Sequence, residues 1–375
     1  MTILKCPLVW RPLAMAVLLA APGACATIHR PPATIASLQL ERASIRLEER
    51  ATTDSIIERL VRRVARRGDR RLDILLLSGG GQHGAYGAGF LRGWQQRTDA
   101  PMPQFDLVTG ISTGSMQAPF ALLGTPDALD TLSTLYRNAT ERTAPSIDWL
   151  FWLRKTGGVV KPGKLEHTIA QVFDRSLAHA LQEQFALDRQ LVIGTTDMDL
   201  GLARTWDFAR VLQDSGGVAH ARRLLRATSA IPGVFPPVII DGHVHSDGGV
   251  MSNVMPALGF EEYRHLAQRL HAAGEGQPVT IRVWLVMNLF LDPSIVVTSP
   301  SSRGRVSSRA TWLLFLGQQS QMVERLRVLS RAVSSDVPGL QMEFRFTALD
   351  AALANEPGAS ALFDKGWMNR IEQLG

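Results

Sequence analysis

The sequence predicts an α/β layered fold built on a largely parallel sheet. Short apolar runs of strand length recur along the chain: "LDILLLS", "FDLVTG", "QLVIGTTDMD" and "VTIRVWLVMN". Stretches with helical periodicity separate them, and strands that alternate with helices pack as layers. The 375 residues are 45% hydrophobic and 20% charged, ordinary globular usage, so the chain can bury a sizeable core as one large domain or two smaller ones.

Residues 1–25 read as a signal peptide. Lys5 and Arg11 precede the apolar run "LAMAVLLAA", which is too short to span a bilayer. In "PGACA", cleavage can follow Ala26, or small residues before Cys25 can serve as a bacterial lipobox with Cys25 lipidated; Pro22 departs from the lipobox pattern. Cys6 and Cys25 are the two cysteines, so the folded part holds no disulfide and no thiolate zinc site. The expectation is an exported protein on the periplasmic side, anchored through Cys25.

Residues 26–71 read as a tether, to about Leu40, and then a basic amphipathic helix. Ile56, Ile57, Leu60, Val61 and Val64 share one face, with Arg59, Arg62, Arg63, Arg66 and Arg67 around it. Such a helix lies on an anionic membrane, or packs on the domain with a solvated basic face.

The core starts with "LDILLLS" as a strand, and "AYGAGFLRGWQQR" is the helix after it. "FDLVTG" is the second strand. "SMQAPFALLG", "PDALDTLSTLYRN" and "KLEHTIAQVFDRSLAHALQEQ" are helical, and "QLVIGTTDMD" is the third strand. "GGVAHARRLLRATSA" is a helix; "PPVIID" and "HVHSD" are short strands joined by an Asp241-Gly242 turn. "VTIRVWLVMN" closes a catalytic domain spanning 72–290. Residues 291–375 read as a mobile Ser/Pro/Arg loop (292–311) and a C-terminal helical region on the same domain.

Three motifs carry chemistry. "SGGGQHG" places a triple glycine after the first strand, and Gly79, Gly81 and Gly84 fit the dinucleotide fingerprint G-x-G-x-x-G. The second strand ends in Gly110-Ile111-Ser112-Thr113-Gly114, which fits the nucleophile elbow G-x-S-x-G. There small flanking residues let the backbone strain, the serine stands above the sheet edge, and the next N–H and helix N-terminus face developing negative charge. In "SDGGVMSNVMP", Asp247 precedes Gly248 and Gly249, a common turn signal that also leaves a carboxylate at a strand end.

A serine nucleophile needs a base. His243, His245, His265 and His271 are available, but none lies in a late triad-histidine signature. His243 and His245 share one strand face, which suggests metal or, better, a surface or packing role.

Together, "GGGQHG", "GISTG", "DGG" and the block "RATSAIPGVFPPV" resemble the patatin-like phospholipase family over roughly Leu72–Asn288. The resemblance implies a three-layer α/β/α patatin-like fold with a central, largely parallel sheet. It implies a Ser112–Asp247 dyad acting on acyl-ester lipids, with phospholipid, lysophospholipid or neutral lipid as substrate and a membrane surface as partner. The oxyanion would be held by N–H groups of Gly79, Gly80 and Gly81, with Gly80 and Gly81 foremost, and of Thr113. Gly84, Gly110, Gly114, Gly248 and Gly249 complete the motifs. The family usually has Arg or Lys where His83 stands, so a loop anchored by that charge would respond to pH.

The net charge of +6 favours anionic partners. No nucleic-acid motif accompanies it, so no nucleic-acid partner is expected. The dinucleotide alternative fails at Asp106, which lies at the wrong end of the second strand to hold a ribose. A phosphate-binding loop fails because no Gly-Lys-Ser/Thr follows. A non-catalytic lipid-binding lipoprotein on the same fold is the remaining alternative. No metal motif stands out, so no cofactor and calcium-independent activity are expected.

Overall fold

The sheet is organised around β1 (Arg71–Leu77), in which only Arg71 is exposed. β1 pairs in parallel with β2 (Leu107–Ile111) on one edge and β9 (Val279–Phe290) on the other. β10 (Leu340–Leu349) adds in parallel beyond β9, and β5 (Gln190–Asp197) beyond β2. Past β5 the direction reverses. β6 (Leu202–Asp207) runs antiparallel along β5, as does β8 (His243–Asp247), which is hairpinned to β7 (Val238–Ile240). β3 (Ser146–Ile147) and β4 (Val160–Lys161) form a separate pair. This computed structural model describes residues 28, 30–139, 146–148, 156–274 and 276–375. The expected signal segment, with Cys6 and Cys25, lies outside the described residues.

Alternation along β1 builds two cores. Leu75 and Leu77 face one, and Leu72, Ile74 and Leu76 face the other. Over the first lie α2 (Gly84–Gln95), α3 (Thr113–Leu123), α4 (Pro126–Arg137), α5 (Gly163–Val172), α6 (Arg175–Ala186), α7 (Phe208–Val211) and α8 (Gly217–Thr228). Over the second lie α1 (Ile35–Arg67), α9 (Phe260–Ala272) and α10 (Arg303–Asp336). The fold is three layers, α/β/α. α11 (Lys365–Leu374) packs on α2 and α4. Among the described residues, no helix is long and apolar enough to cross a membrane.

The register positions the site. β6 pairs with Val192–Asp197 and so occupies one edge of β5. β2 against Gln190–Gly194 and β8 against Thr195–Asp197 must share the other edge, end to end. Ile111 stands opposite Gly194, and Asp247 opposite Thr195. The residue after β2, Ser112, therefore meets the end of β8.

Several expectations change. The tether is helical from Ile35, started by a Thr34–Ser37 capping box. Its basic face is paired with the domain's own carboxylates: Arg59 with Asp207, Arg63 and Arg67 with Asp106, and Arg62 and Arg66, about half exposed, with Asp188. The apolar face (Ile56, Ile57, Leu60, Val64) is buried on the domain. The single helix expected after Lys164 is two, because Asp174 caps a new one at Leu177 N–H. The expected loop 292–311 is helical from Arg303. The C-terminal region contributes the strand β10, not helices alone, because Met342 and Phe344 face the core between Glu343 and Arg345.

Candidate active site

The elbow forms where β2 must turn into α3. Ser112 sits at φ +50°, ψ −121°, a conformation that costs a non-glycine residue free energy. Two contacts make it the only path. A Cβ on Gly110 would stand 2.6 Å from the Gly114 carbonyl oxygen, and one on Gly114 would strike the Leu77 carbonyl. The turn is held from beneath: Ser112 N–H donates to Thr228 Oγ1 (3.0 Å), and the Thr228 hydroxyl donates to the Gly194 carbonyl (2.6 Å). Thr228 lies in the "RATSA" segment, where sequence reasoning assigned it no role.

Asp247 ends β8 beside the elbow and is 6% exposed. Burial pushes its carboxyl up to about 6, against the opposing pull of hydrogen bonds from the Ser112 side chain and the Gly249 N–H (2.8 Å). Gly248 and Gly249 make one 3-10 turn after it, and a Cβ on Gly248 would stand 2.6 Å from the Gly194 carbonyl oxygen. Thr196 Oγ1 donates to the Asp247 carbonyl (3.0 Å) and fixes the strand end.

The glycine loop is pinned by amides that sequence reasoning missed. Gly79 N–H donates to the Asn253 carbonyl (3.1 Å), and Asn253 Nδ2 donates back to the Gly79 carbonyl (3.1 Å). Gly79 is therefore not free to hold an oxyanion, which corrects the expectation for that residue. Asn288 Nδ2 donates to the Ser78 carbonyl (2.8 Å), and Gln117 Nε2 to the Gly84 carbonyl (2.6 Å). Gly80 and Gly81 line the cleft that holds Ser112 and Asp247. Their N–H groups and that of Thr113 have no acceptor among the described residues. The Thr113 hydroxyl is paired with Tyr136.

His83 is buried edge-on to Phe290 and Trp367, at ring-centroid distances of 5.3 and 5.8 Å. Burial lowers its pKa below the ordinary 6.5, only partly offset by the Gly80 and Ala359 carbonyls. The neutral ring holds the loop by donating Nδ1–H to the Gly80 carbonyl (3.0 Å), so a charge is not the anchor at neutral pH.

Two hollows meet at Ser112. One is apolar, about 150 Å³, and runs under α3 and α4 past Met116, Leu132, Ile169, Phe173 and Leu225. The other is a broad cleft of about 930 Å³ that holds Asp247 and the glycine loop and is walled by Trp312 and Phe315 of α10.

His265 and His271 lie on α9 and are not among the residues lining either hollow. His243 and His245 are buried rather than at the surface, and they stand with Asp197. Asp106 is enclosed by Arg63 (2.6 Å) and Arg67 (2.7 Å) and accepts Asp73 N–H, leaving no place for a ribose.

No curated protein matches the chain. Among solved structures, VipD from Legionella pneumophila is similar at 12% identity and a TM-score of 0.34. The match covers 80% of this chain and 65% of that one, so the chain spans less than two thirds of VipD. Residues 75–259, which include the glycine loop, Ser112 and Asp247, match the model of the family described as Patatin-like phospholipase. The chain thus carries a patatin-like phospholipase domain over those residues.

Proposed function

We propose that the protein is a serine acyl hydrolase that cleaves acyl esters of lipids, of phospholipase A or lysophospholipase type, through Ser112 and Asp247. One observation carries the reading: a serine on a strained elbow faces a buried carboxylate at the point where an apolar hollow opens. In this mechanism Ser112 Oγ attacks the ester carbonyl while Asp247 takes its proton. The tetrahedral oxyanion rests on the N–H groups of Gly80, Gly81 and Thr113, and each such donor is worth roughly 3 kcal/mol of barrier. Asp247 then returns the proton to the leaving alcohol. Water, deprotonated by Asp247, clears the acyl group from Ser112.

The acyl chain lies in the apolar hollow and the head group in the cleft. The cleft mouth favours a membrane surface as the place of work. Ile295 and Val297 are 92% and 98% exposed, and Val250, Leu313 and Leu314 are exposed near them. Val250, Val296 and Leu314 also line the cleft. Apolar side chains grouped around a site in this way mark an interaction surface. Export and anchoring through Cys25 belong to the same proposal, and mass spectrometry of the mature N-terminus tests them. An unmodified residue after Ala26 rules lipidation out.

Labelling with a fluorophosphonate, read beside hydrolysis of a lipid panel, tests the chemistry. Wild type is expected to label, and Ser112→Ala to lose labelling and roughly six orders of magnitude in turnover. An unlabelled wild type, or equal labelling of Ser112→Ala, sinks the enzyme reading in favour of a non-catalytic lipid binder. Ile295→Asp with Val297→Asp is expected to weaken sedimentation with phosphatidylglycerol vesicles while hydrolysis of a short soluble ester is kept.

A further inference from the structure

On the far side of β8 from the elbow, three buried polar atoms converge without hydrogen-bond partners: Asp197 Oδ2, His243 Nδ1 and His245 Nε2. His243 Nδ1 lies 3.0 Å and His245 Nε2 3.9 Å from Asp197 Oδ2. Asp199 stands beside them: ligand atoms of Asp197, Asp199 and His243 all lie within 4.8 Å of one another, a group that leaves out His245, and the Asp199 oxygens also accept from Arg30 Nη1 (2.7 Å) and Val244 N–H (2.8 Å). Asp197 and His245 are wholly buried and His243 nearly so. Burying unpaired donors and acceptors is costly, so three at one point call for a common partner.

The outer atoms of the same side chains are already engaged. His243 Nε2 meets Glu41 Oε2 (2.7 Å), and His245 Nδ1 meets Thr195 Oγ1 (3.0 Å). Thr195 Oγ1 also accepts from Trp206 Nε1 (2.8 Å). Asp197 Oδ1 accepts the N–H groups of Asp199 (3.0 Å) and Leu200 (2.9 Å). If both rings donate outward, each inner nitrogen presents a lone pair to the same point. A carboxylate or hydroxyl behind each histidine is how proteins orient imidazole ligands on a metal. Ligand atoms about 2 Å from a tetrahedral ion stand roughly 3.3 Å apart, and the observed separations of 3.0 and 3.9 Å bracket that value.

Charge agrees. Asp197, Asp199, Glu41, Glu48 and Glu49 face two cations, Arg30 on Asp199 and Arg204 on Glu48 and Glu49, which leaves three negative charges. Arg204 Nη1 also approaches Asp197 Oδ2, at 3.9 Å, from the side where Glu49 and Glu48 hold the guanidinium.

We propose that Asp197, His243, His245 and Asp199 form a divalent transition-metal site, with zinc as the ion that suits two imidazoles and two carboxylates. The ion is structural. It ties β8 to β5 two register positions from Asp247, and through Glu41 it ties both strands to α1. It takes no part in the reaction at Ser112.

The test uses tag-free protein, stripped with chelator, incubated with zinc chloride and desalted. Expected are one zinc per chain by elemental analysis, a melting temperature raised by several degrees, and tetrahedral d–d absorption with cobalt in place of zinc. His245→Gln and the more accessible Asp199→Asn are expected to lose the ion and the thermal shift, while Ser112 still labels with fluorophosphonate. Wild type that retains no stoichiometric zinc and shows no thermal shift overturns the proposal and leaves His243 as a bridge between Asp197 and Glu41. Equal zinc retention in the variants overturns it as well, because the ion then binds elsewhere.

Discussion

Asp247 can accept the Ser112 proton only while it is ionised. With its carboxyl near 6, kcat/KM is expected to fall about tenfold per pH unit below that value. A pH–rate profile flat down to pH 4 contradicts the assignment. The same shift acts on stability. The folded state holds the Asp247 proton more tightly than the unfolded chain, whose carboxyl titrates near 3.8. That stabilisation is complete below 3.8 and lost as pH rises through about 6; over this interval it amounts to up to about 3 kcal/mol. Asp247→Asn is therefore expected to abolish turnover yet melt above wild type at pH 8, with the gap closing at pH 4. Equal melting temperatures at pH 8 mean that burial does not strain this carboxylate.

At the scale of elements, α1 is the case where charge misleads. Its arginines suggested a helix facing lipid or water, yet they lie against the strand ends remote from Ser112 and neutralise Asp106, Asp188 and Asp207. Arg63→Met removes a guanidinium 2.6 Å from a fully buried carboxylate, and breaking such a pair costs about 3–5 kcal/mol. Leu60→Ala costs about 2–5 kcal/mol by leaving a cavity. Urea titration checks both. A change below 1 kcal/mol for Arg63→Met shows that Arg67 alone holds Asp106. The strands differ in how openly the sequence declares them. β1, β2, β5 and β9 run between two helix layers, are buried at most positions and each carry an apolar run, so they stand out. β6 and β10 carry polar residues at alternate positions, and α9 lies in a stretch of mixed charge, so none was assigned. The Phe344, Phe346 alternation was nevertheless a usable signal for β10.

For the molecule as a whole, the catalytic motifs were legible because each is local: a glycine loop, an elbow and an Asp-Gly-Gly turn. What brings them together is the shared edge of β5, a pairing across more than fifty residues that no local pattern encodes. The same limit hid Thr228, Asn253 and Asn288, and the meeting of His243 and His245 with Asp197. The hollow under α3 is likewise a product of assembly, lined from six α-helices. Ile169→Phe is expected to narrow it and to shift hydrolysis from long acyl chains to short ones. Unchanged chain-length preference would place the acyl chain elsewhere.

The pairing of α1 bears on how the net charge should be understood. Five guanidinium groups of that helix are committed to the protein's own carboxylates, so they offer little to an approaching polyanion. An overall +6 then says more about how the sheet is buttressed than about whom the molecule meets. Its response to salt should follow suit: pairs this buried are screened little, so added electrolyte is expected to leave the helix on the sheet.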